Sequence, residues 1–288
     1  MVDQPGGDGF ADGKGIRLHY LEWGRSGQPA VLLHATGFLA RLWGPVAVGL
    51  SANFHVYGYD SRGHGDSDRP GAGSYDWSNL ADDLGAFLGA IGLPRAVLIG
   101  HSSGGAVAAY LAATAPERVA GLALIEPIAH RPSPPGTAMA QAEDLAKGAE
   151  KRRLVWPSRE AIAASYRKKP LFSLWPESML ALYVTEGTRR RPDGQFELKC
   201  AGEVEAEIYR KSLLFDVLSV LPQIDCPTLV IRGELTQSHL ARMSETVARG
   251  IAGAELVTLE GAGHLSPMER PEALAAELLR FFDVTAGS

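Results

Sequence analysis

Between Ala96 and Ala113 the chain passes from the apolar run Ala96-Val-Leu-Ile-Gly100, through His101-Ser102-Ser103-Gly104-Gly105, into the alanine-rich run Ala106-Val-Ala-Ala-Tyr-Leu-Ala-Ala113. A strand that runs straight into a helix is the opening of a crossover connection, the kind that parallel strands need. The rest of the chain repeats that order. Short apolar runs at Ile16–Glu22, Ala30–His34, Phe54–Tyr59, Val119–Ile125, Thr228–Arg232 and Glu255–Leu259 alternate with amphipathic runs at Leu42–Leu50, Trp77–Ile91, Leu240–Ile251 and Pro271–Phe282. The pattern predicts a mostly parallel twisted sheet with helices on both faces.

The alternation breaks between 128 and 220, where prolines punctuate segments expected to be helical: Ala140–Leu154, Ser158–Lys168, Pro176–Glu186 and Ala201–Leu214. Ser158 is placed to cap the second of these. The sheet is therefore expected over residues 1–127 and 221–288, with 128–220 as an inserted helical cap. Aromatic side chains are dense in that insertion, and Trp175, Tyr183 and Phe215, together with Phe38 of the sheet portion, are expected to line a substrate pocket. The cations Arg152, Arg153, Arg167, Lys168 and Lys169 are expected to form a solvated helix face.

Composition excludes several classes. With 28 basic and 33 acidic residues in 288, a net charge of −5 and no basic run longer than Arg189–Arg191, a nucleic-acid role has no electrostatic basis. No apolar window approaches the ~20 residues of a membrane span, and the polar start Met1–Gly15 lacks the basic and apolar regions of a signal peptide, so no membrane partner and a cytoplasmic location are expected. Cys200 and Cys226 fit neither a zinc site nor a disulfide framework, and are expected as free buried thiols. No metal or cofactor is expected, since there is no phosphate-cradling glycine loop and no ligand cluster.

The turn at Gly100-His-Ser102-Ser-Gly104 carries the chemistry. A G-x-S-x-G sequence between strand and helix forces its central residue into a strained backbone conformation that lifts the hydroxyl above the sheet at a helix N-terminus. Ser102 is the expected nucleophile, and Ser103 is the weaker candidate because His101 stands where its leading glycine would be. A serine needs a base, and His264, in the loose loop Gly261-Ala-Gly263-His264 after the last strand, lies at the carboxyl edge where catalytic groups of such sheets collect. His34 and His64 are expected to brace loops, and His101 to flank the turn with its ring directed away.

These motifs resemble those of the α/β-hydrolase superfamily. Val31-Leu-Leu-His34-Ala35-Thr36-Gly37-Phe38 is similar to its oxyanion-hole loop, and Tyr59-Asp60-Ser-Arg62-Gly-His-Gly65-Asp-Ser67 to its D-x-R-G-x-G-x-S turn. Ser102 and His264 match its elbow serine and C-terminal histidine. The resemblance implies the α/β-hydrolase fold with a helical cap, and an oxyanion hole formed by the backbone amides of Thr36 and Ser103. The chain departs from the pattern at Ala35, where a glycine is usual, and at Thr236, where most relatives carry the triad aspartate. Two carboxylates are available instead. Glu126 follows the strand after the nucleophile strand, a position from which some haloalkane dehalogenases resemble this chain in drawing their acid; Glu234 lies two residues before the usual position.

The reaction implied is hydrolysis of a small or medium carboxylic ester through an acyl-enzyme, with a small-molecule ester as partner. Lactonase, perhydrolase and carbon–carbon bond hydrolase activities use the same groups and remain open, as does a non-catalytic ligand-binding role, for which Thr236 is the sequence argument. Dehalogenase and epoxide hydrolase chemistry need an aspartate nucleophile, which Ser102 replaces.

Overall fold

The computed structural model describes residues 4–130 and 137–286. Its main sheet has eight strands among the described residues: β1 (Gly7–Asp12), β2 (Arg17–Trp23), β3 (Gln28–Leu33), β4 (Phe54–Tyr59), β5 (Ala96–His101), β6 (Val119–Ile125), and, after a long insertion, β10 (Thr228–Gly233) and β11 (Glu255–Leu259). Their order is β1-β2-β4-β3-β5-β6-β10-β11. β2 is antiparallel to both of its neighbours, and every pairing from β4 to β11 is parallel.

The expected strands fall where the apolar runs are, with ends displaced by a residue or two. β1 was not among them. It is an edge strand whose residues alternate in burial along Gly7–Asp12, and pairing with β2 supplies its hydrogen bonds, so it forms without the apolar run that would mark it in the sequence.

The two faces of the sheet are both buried, which is why its strands read as continuous apolar runs rather than alternating ones. Val31, Leu33, Leu98, Leu122, Leu124 and Val230 pack under helices α2 (Trp77–Ala90), α3 (Ser103–Thr114) and α8 (Ser238–Gly250). Their neighbours Leu32, Val97, Ile99, Ala123, Ile125 and Ile231 meet α1 (Gly44–Leu50) and α10 (Pro271–Ala286) on the opposite face.

Between β6 and β10 lie α4 (Thr137–Glu150), α5 (Arg159–Tyr166), α6 (Glu177–Glu186) and α7 (Gly202–Ser212). Ser158 caps α5 as expected, its hydroxyl accepting from the Ala161 amide at 3.2 Å. The insertion is not purely helical. β7 (Val155–Trp156), β9 (Phe196–Leu198) and β8 (Thr188–Arg190) form a small antiparallel sheet in that spatial order, from segments of two or three residues that are too short to show a period in sequence. α4 also ends at Glu150 rather than Leu154, so the Lys151–Arg153 run lies beyond the helix.

Candidate active site

The turn after β5 is held from three sides. Ser102 has φ 54° and ψ −113°, and its amide donates to the Ile125 carbonyl of β6 at 2.9 Å. A Cβ on Gly100 would stand 2.5 Å from the Gly104 carbonyl oxygen, and one on Gly104 would stand 2.5 Å from that of Leu33. Both positions therefore require glycine, because the atoms in the way are backbone and cannot yield. The result places Ser102 at the N-terminus of α3, where the amides of the first turn lack helical acceptors.

Glu126 follows β6 directly and is likewise strained, with φ 49°. Among the described residues only Lys14, Ser102 and Glu126 are non-glycine residues with positive φ, and two of these three face each other across the carboxyl edge of β5 and β6. The Glu126 side chain is fully buried. Its Oε1 accepts from the Gly233 amide at 2.7 Å, and its Oε2 accepts from Thr236 Oγ1 at 2.8 Å and from His264 Nδ1 at 3.1 Å. Those bonds fix both the carboxylate and the imidazole, leaving Nε2 as the nitrogen not tied to Glu126. Thr236, which departs from the aspartate of the resembled pattern, thus donates to the carboxylate that meets His264.

Glu234, the alternative acid, is exposed and accepts from the Gly261 amide at 2.9 Å, at the base of the histidine loop. Two further groups hold that loop. The buried carboxylate of Glu269 accepts from the Gly263 amide at 2.5 Å, and burial pushes its pKa up. His101 donates from Nε2 to the His264 carbonyl at 2.8 Å. Burial, reinforced by the neighbouring His264 charge, takes the His101 imidazole down to about 3, so it is a neutral donor. His101 is thus a brace of the histidine loop and not merely a flank of the turn; its place beside the serine was the only signal in the sequence.

The loop after β3 is braced by His34 and His64, as expected. His34 Nε2 accepts from the Ser61 amide at 2.9 Å, and His64 Nε2 accepts from the Gly37 amide at 3.0 Å. The Thr36 amide is not free: it donates to Ser103 Oγ at 2.9 Å, and Thr36 Oγ1 donates to the same oxygen at 3.0 Å. The Ser103 hydroxyl is therefore lodged against the Thr36 amide.

Ser102, Ser103, Thr36 and His264 open on one cavity of about 710 Å³, roofed by the insertion. Phe38 and Tyr183 are on its wall, and the Tyr183 hydroxyl donates to the Gly37 carbonyl at 2.9 Å, tying α6 to the oxyanion loop. Trp175 and Phe215 are not on that wall. Trp175 packs edge-on against Phe172 at 5.0 Å and behind Phe38, inside the aromatic core of the insertion. Phe215 is spent on the sheet side, against Tyr110 at 4.5 Å and Trp77 at 5.8 Å. Both are buried aromatics whose area is used for packing, which a sequence cannot distinguish from pocket lining.

The expected solvated cationic face also divides. Arg167 and Lys168 are exposed, and Arg167 pairs with Glu177 at 2.6 Å, whereas Arg152 is largely buried in the cavity wall. Among the described residues no helix is long and apolar enough to cross a membrane. Cys200 and Cys226 are both free and buried.

The model of a family described as "Alpha/beta hydrolase family" matches residues 30–277. A non-heme chloroperoxidase of Streptomyces lividans is 28% identical over 285 residues, covering 93% of this chain and 96% of that protein. The solved enol-lactonase of Burkholderia xenovorans superposes with a TM-score of 0.77 at 25% identity, covering 96% of this chain and all of that one. An E-2-(acetamidomethylene)succinate hydrolase superposes with a TM-score of 0.81 at 22% identity, covering 96% and 98%, a likeness of fold.

Proposed function

The chain belongs to the alpha/beta hydrolase family and is an enzyme of the hydrolase class, and we propose that it cleaves small or medium carboxylic esters through an acyl-enzyme on Ser102. The observation that carries this reading is the Glu126 carboxylate 3.1 Å from His264 Nδ1, beside a serine with φ 54° in the same cavity.

In this mechanism Ser102 Oγ attacks the ester carbonyl while His264 Nε2 accepts its proton. The carbonyl π electrons move to oxygen, where the amides of Ser103 and Thr36 receive the charge, the latter once the Ser103 hydroxyl shares or yields it. Collapse expels the alkoxide, which takes the proton back from His264. Water, deprotonated by the same nitrogen, then attacks the acyl-enzyme and releases the acid and Ser102. Glu126 keeps the imidazole in the tautomer this requires and stabilises the imidazolium. A serine at the elbow forms an acyl ester, not the alkyl ester that dehalogenation would need.

A lactone is a cyclic ester and passes through the same steps. The likeness to an enol-lactonase over nearly the whole chain makes lactones the second substrate class to try.

The test is turnover of p-nitrophenyl acetate and butyrate, combined with labelling by a fluorophosphonate. One label per chain on Ser102, lost in Ser102→Ala together with turnover, is the expected result. No turnover at any acyl length and no label would overturn the ester-hydrolase reading.

A further inference from the structure

Beyond α4 the chain carries Arg152 into the roof of the cavity, where its Nη2 lies 2.6 Å from Glu205 Oε2 of α7 and donates to the Cys200 carbonyl at 2.9 Å. Both side chains are largely buried, at 15% and 11% exposed. The Tyr209 hydroxyl donates to the other Glu205 oxygen at 3.2 Å. A brace between the Arg152 loop and α7 would be complete with those bonds. Yet three polar atoms of this cluster, Arg152 Nε, the Tyr166 hydroxyl and Glu205 Oε2, are buried with no hydrogen-bond partner, Glu205 Oε2 meeting Arg152 only as an ion pair, and Tyr166 is only 2% exposed.

Burying polar atoms without partners costs free energy, and with Glu205 Oε2 already held in its ion pair by Arg152 Nη2, the two remaining donors mark the place of a missing acceptor. Charge identifies it. Lys169, itself exposed, lies on the same wall with its Nζ 4.6 Å from the Tyr166 ring centre, and the wall's Lys151, Arg152, Arg153 and Lys169 outnumber its Asp144 and Glu205 by two charges, in a chain whose net charge is −5. Burial, and then the Arg152 charge, push the Lys169 amine below its ordinary value, as expected for a cation held near another without a second anion.

We infer that the roof of the cavity is a carboxylate subsite, with Arg152, Tyr166 and Lys169 receiving a free carboxylate borne by the substrate's acyl part. The inference rests on the ester-hydrolase reading and narrows it to half-esters of dicarboxylic acids. A carboxylate offers lone pairs to the Arg152 Nε–H and the Tyr166 hydroxyl at once, and charge-assisted bonds of this kind are the strong ones. The diacid is a short one, because the subsite borders the oxyanion loop: a Cβ on Gly37 would stand 2.9 Å from Glu205 Oε1.

The test compares monomethyl glutarate with dimethyl glutarate, which differ only in the free carboxylate, by the ratio of their kcat/KM values. The wild-type ratio is expected to favour the half-ester by at least ~10-fold, and Arg152→Met to erase that preference. Glu205→Gln, which uncovers the Arg152 charge, should increase it. Because Arg152→Met strands a buried carboxylate and could unfold the cap, Arg152→Met/Glu205→Gln serves as the neutral counterpart and should lack the preference too. A ratio near one in the wild type, or a ratio untouched by either Arg152 variant while the melting temperature falls, would reduce the pair to a structural brace and overturn the subsite.

Calorimetry of glutarate with the Ser102→Ala protein separates this inference from the catalytic one. Saturable binding abolished by the added Arg152→Met change, in an enzyme that turns over no ester, would leave the subsite standing and sink the ester reading. Ester turnover without charge preference and without glutarate binding would do the reverse.

Discussion

A single hydroxyl, that of Thr236, shows how the proposed acid could move without loss of the fold. The strand ends of β6 and β10 are adjacent, so a carboxylate launched from either can reach an imidazole hanging from the loop after β11. With Glu126 taking that role from β6, the position after β10 needs only a donor, and Thr236 supplies one at 2.8 Å. Glu126→Gln should therefore lower kcat by about 10³-fold or more, the scale seen when a triad acid becomes an amide, while Glu234→Gln changes it only a few-fold. Burst and steady-state rates with p-nitrophenyl acetate read both, and the opposite ranking would return the acid to Glu234. Ser102 and His264 were legible because each sits in a motif whose spacing has a backbone reason. Glu126 was legible only as one of two carboxylates at strand ends, since the choice depends on which side chain the fold buries beside the imidazole. His101 and Glu269 were not legible as supports of the histidine loop, because their bonds join residues that only the folded loop brings together.

At the scale of elements, the crossing of α3 over β3 sets a tight tolerance. Gly104 lies in a helix, where alanine would ordinarily gain up to ~1 kcal/mol, but its missing Cβ faces the backbone oxygens of Leu33 and His34 at 2.5 and 2.8 Å. Overlap with backbone outweighs propensity, so Gly104→Ala should cost about 1–3 kcal/mol in urea unfolding. Gly89→Ala near the end of α2, where a Cβ would meet nothing within 4 Å, should be neutral or gain up to ~1 kcal/mol. Equal effects of the two would refute the crowding argument. The parallel strands and their helices were legible for a related reason: burial on both sheet faces writes long apolar runs. The cap's sheet of two- and three-residue strands and the edge strand β1 write no such run, and were missed.

For the whole molecule, the buried histidines set the response to acid. Burial holds His34, His64 and His101 neutral, lowering all three and taking His64 and His101 to about 3. An unfolded histidine protonates near 6.5, so below that pH the unfolded chain binds protons that the folded chain refuses, and stability falls as the pH drops from about 6.5 toward 3. His19 works in the opposite sense. Burial disfavours its charge, but the hydrogen bond and charge of Asp60 outweigh this and raise its pKa, so its contribution is present in acid and fades as the pH rises through the folded value. Burial likewise opposes ionisation of Asp60, yet its bonds to His19 and neighbouring groups take it down to about 2, so its contribution is lost only as the pH falls through that value. Burial lowers His130 as well, and four histidines against one give a net loss of up to ~1.4 kcal/mol per pH unit for each histidine left uncompensated. The melting temperature should be lower at pH 5 than at pH 7 by at least ~5 °C, and an unchanged value would contradict the neutral, buried assignment.

The insertion is, topologically, nothing more than an overgrown connection. Strands β6 and β10 are parallel neighbours that a crossover of roughly a dozen residues could join, and the chain spends residues 126–227 on the journey. Ser102 and the His34–Phe38 loop are laid down before the detour begins, Glu126 is its first residue, and His264 comes after it. The stretch that roofs the cavity can therefore be rewritten, lengthened or exchanged, provided β10 returns to its place beside β6.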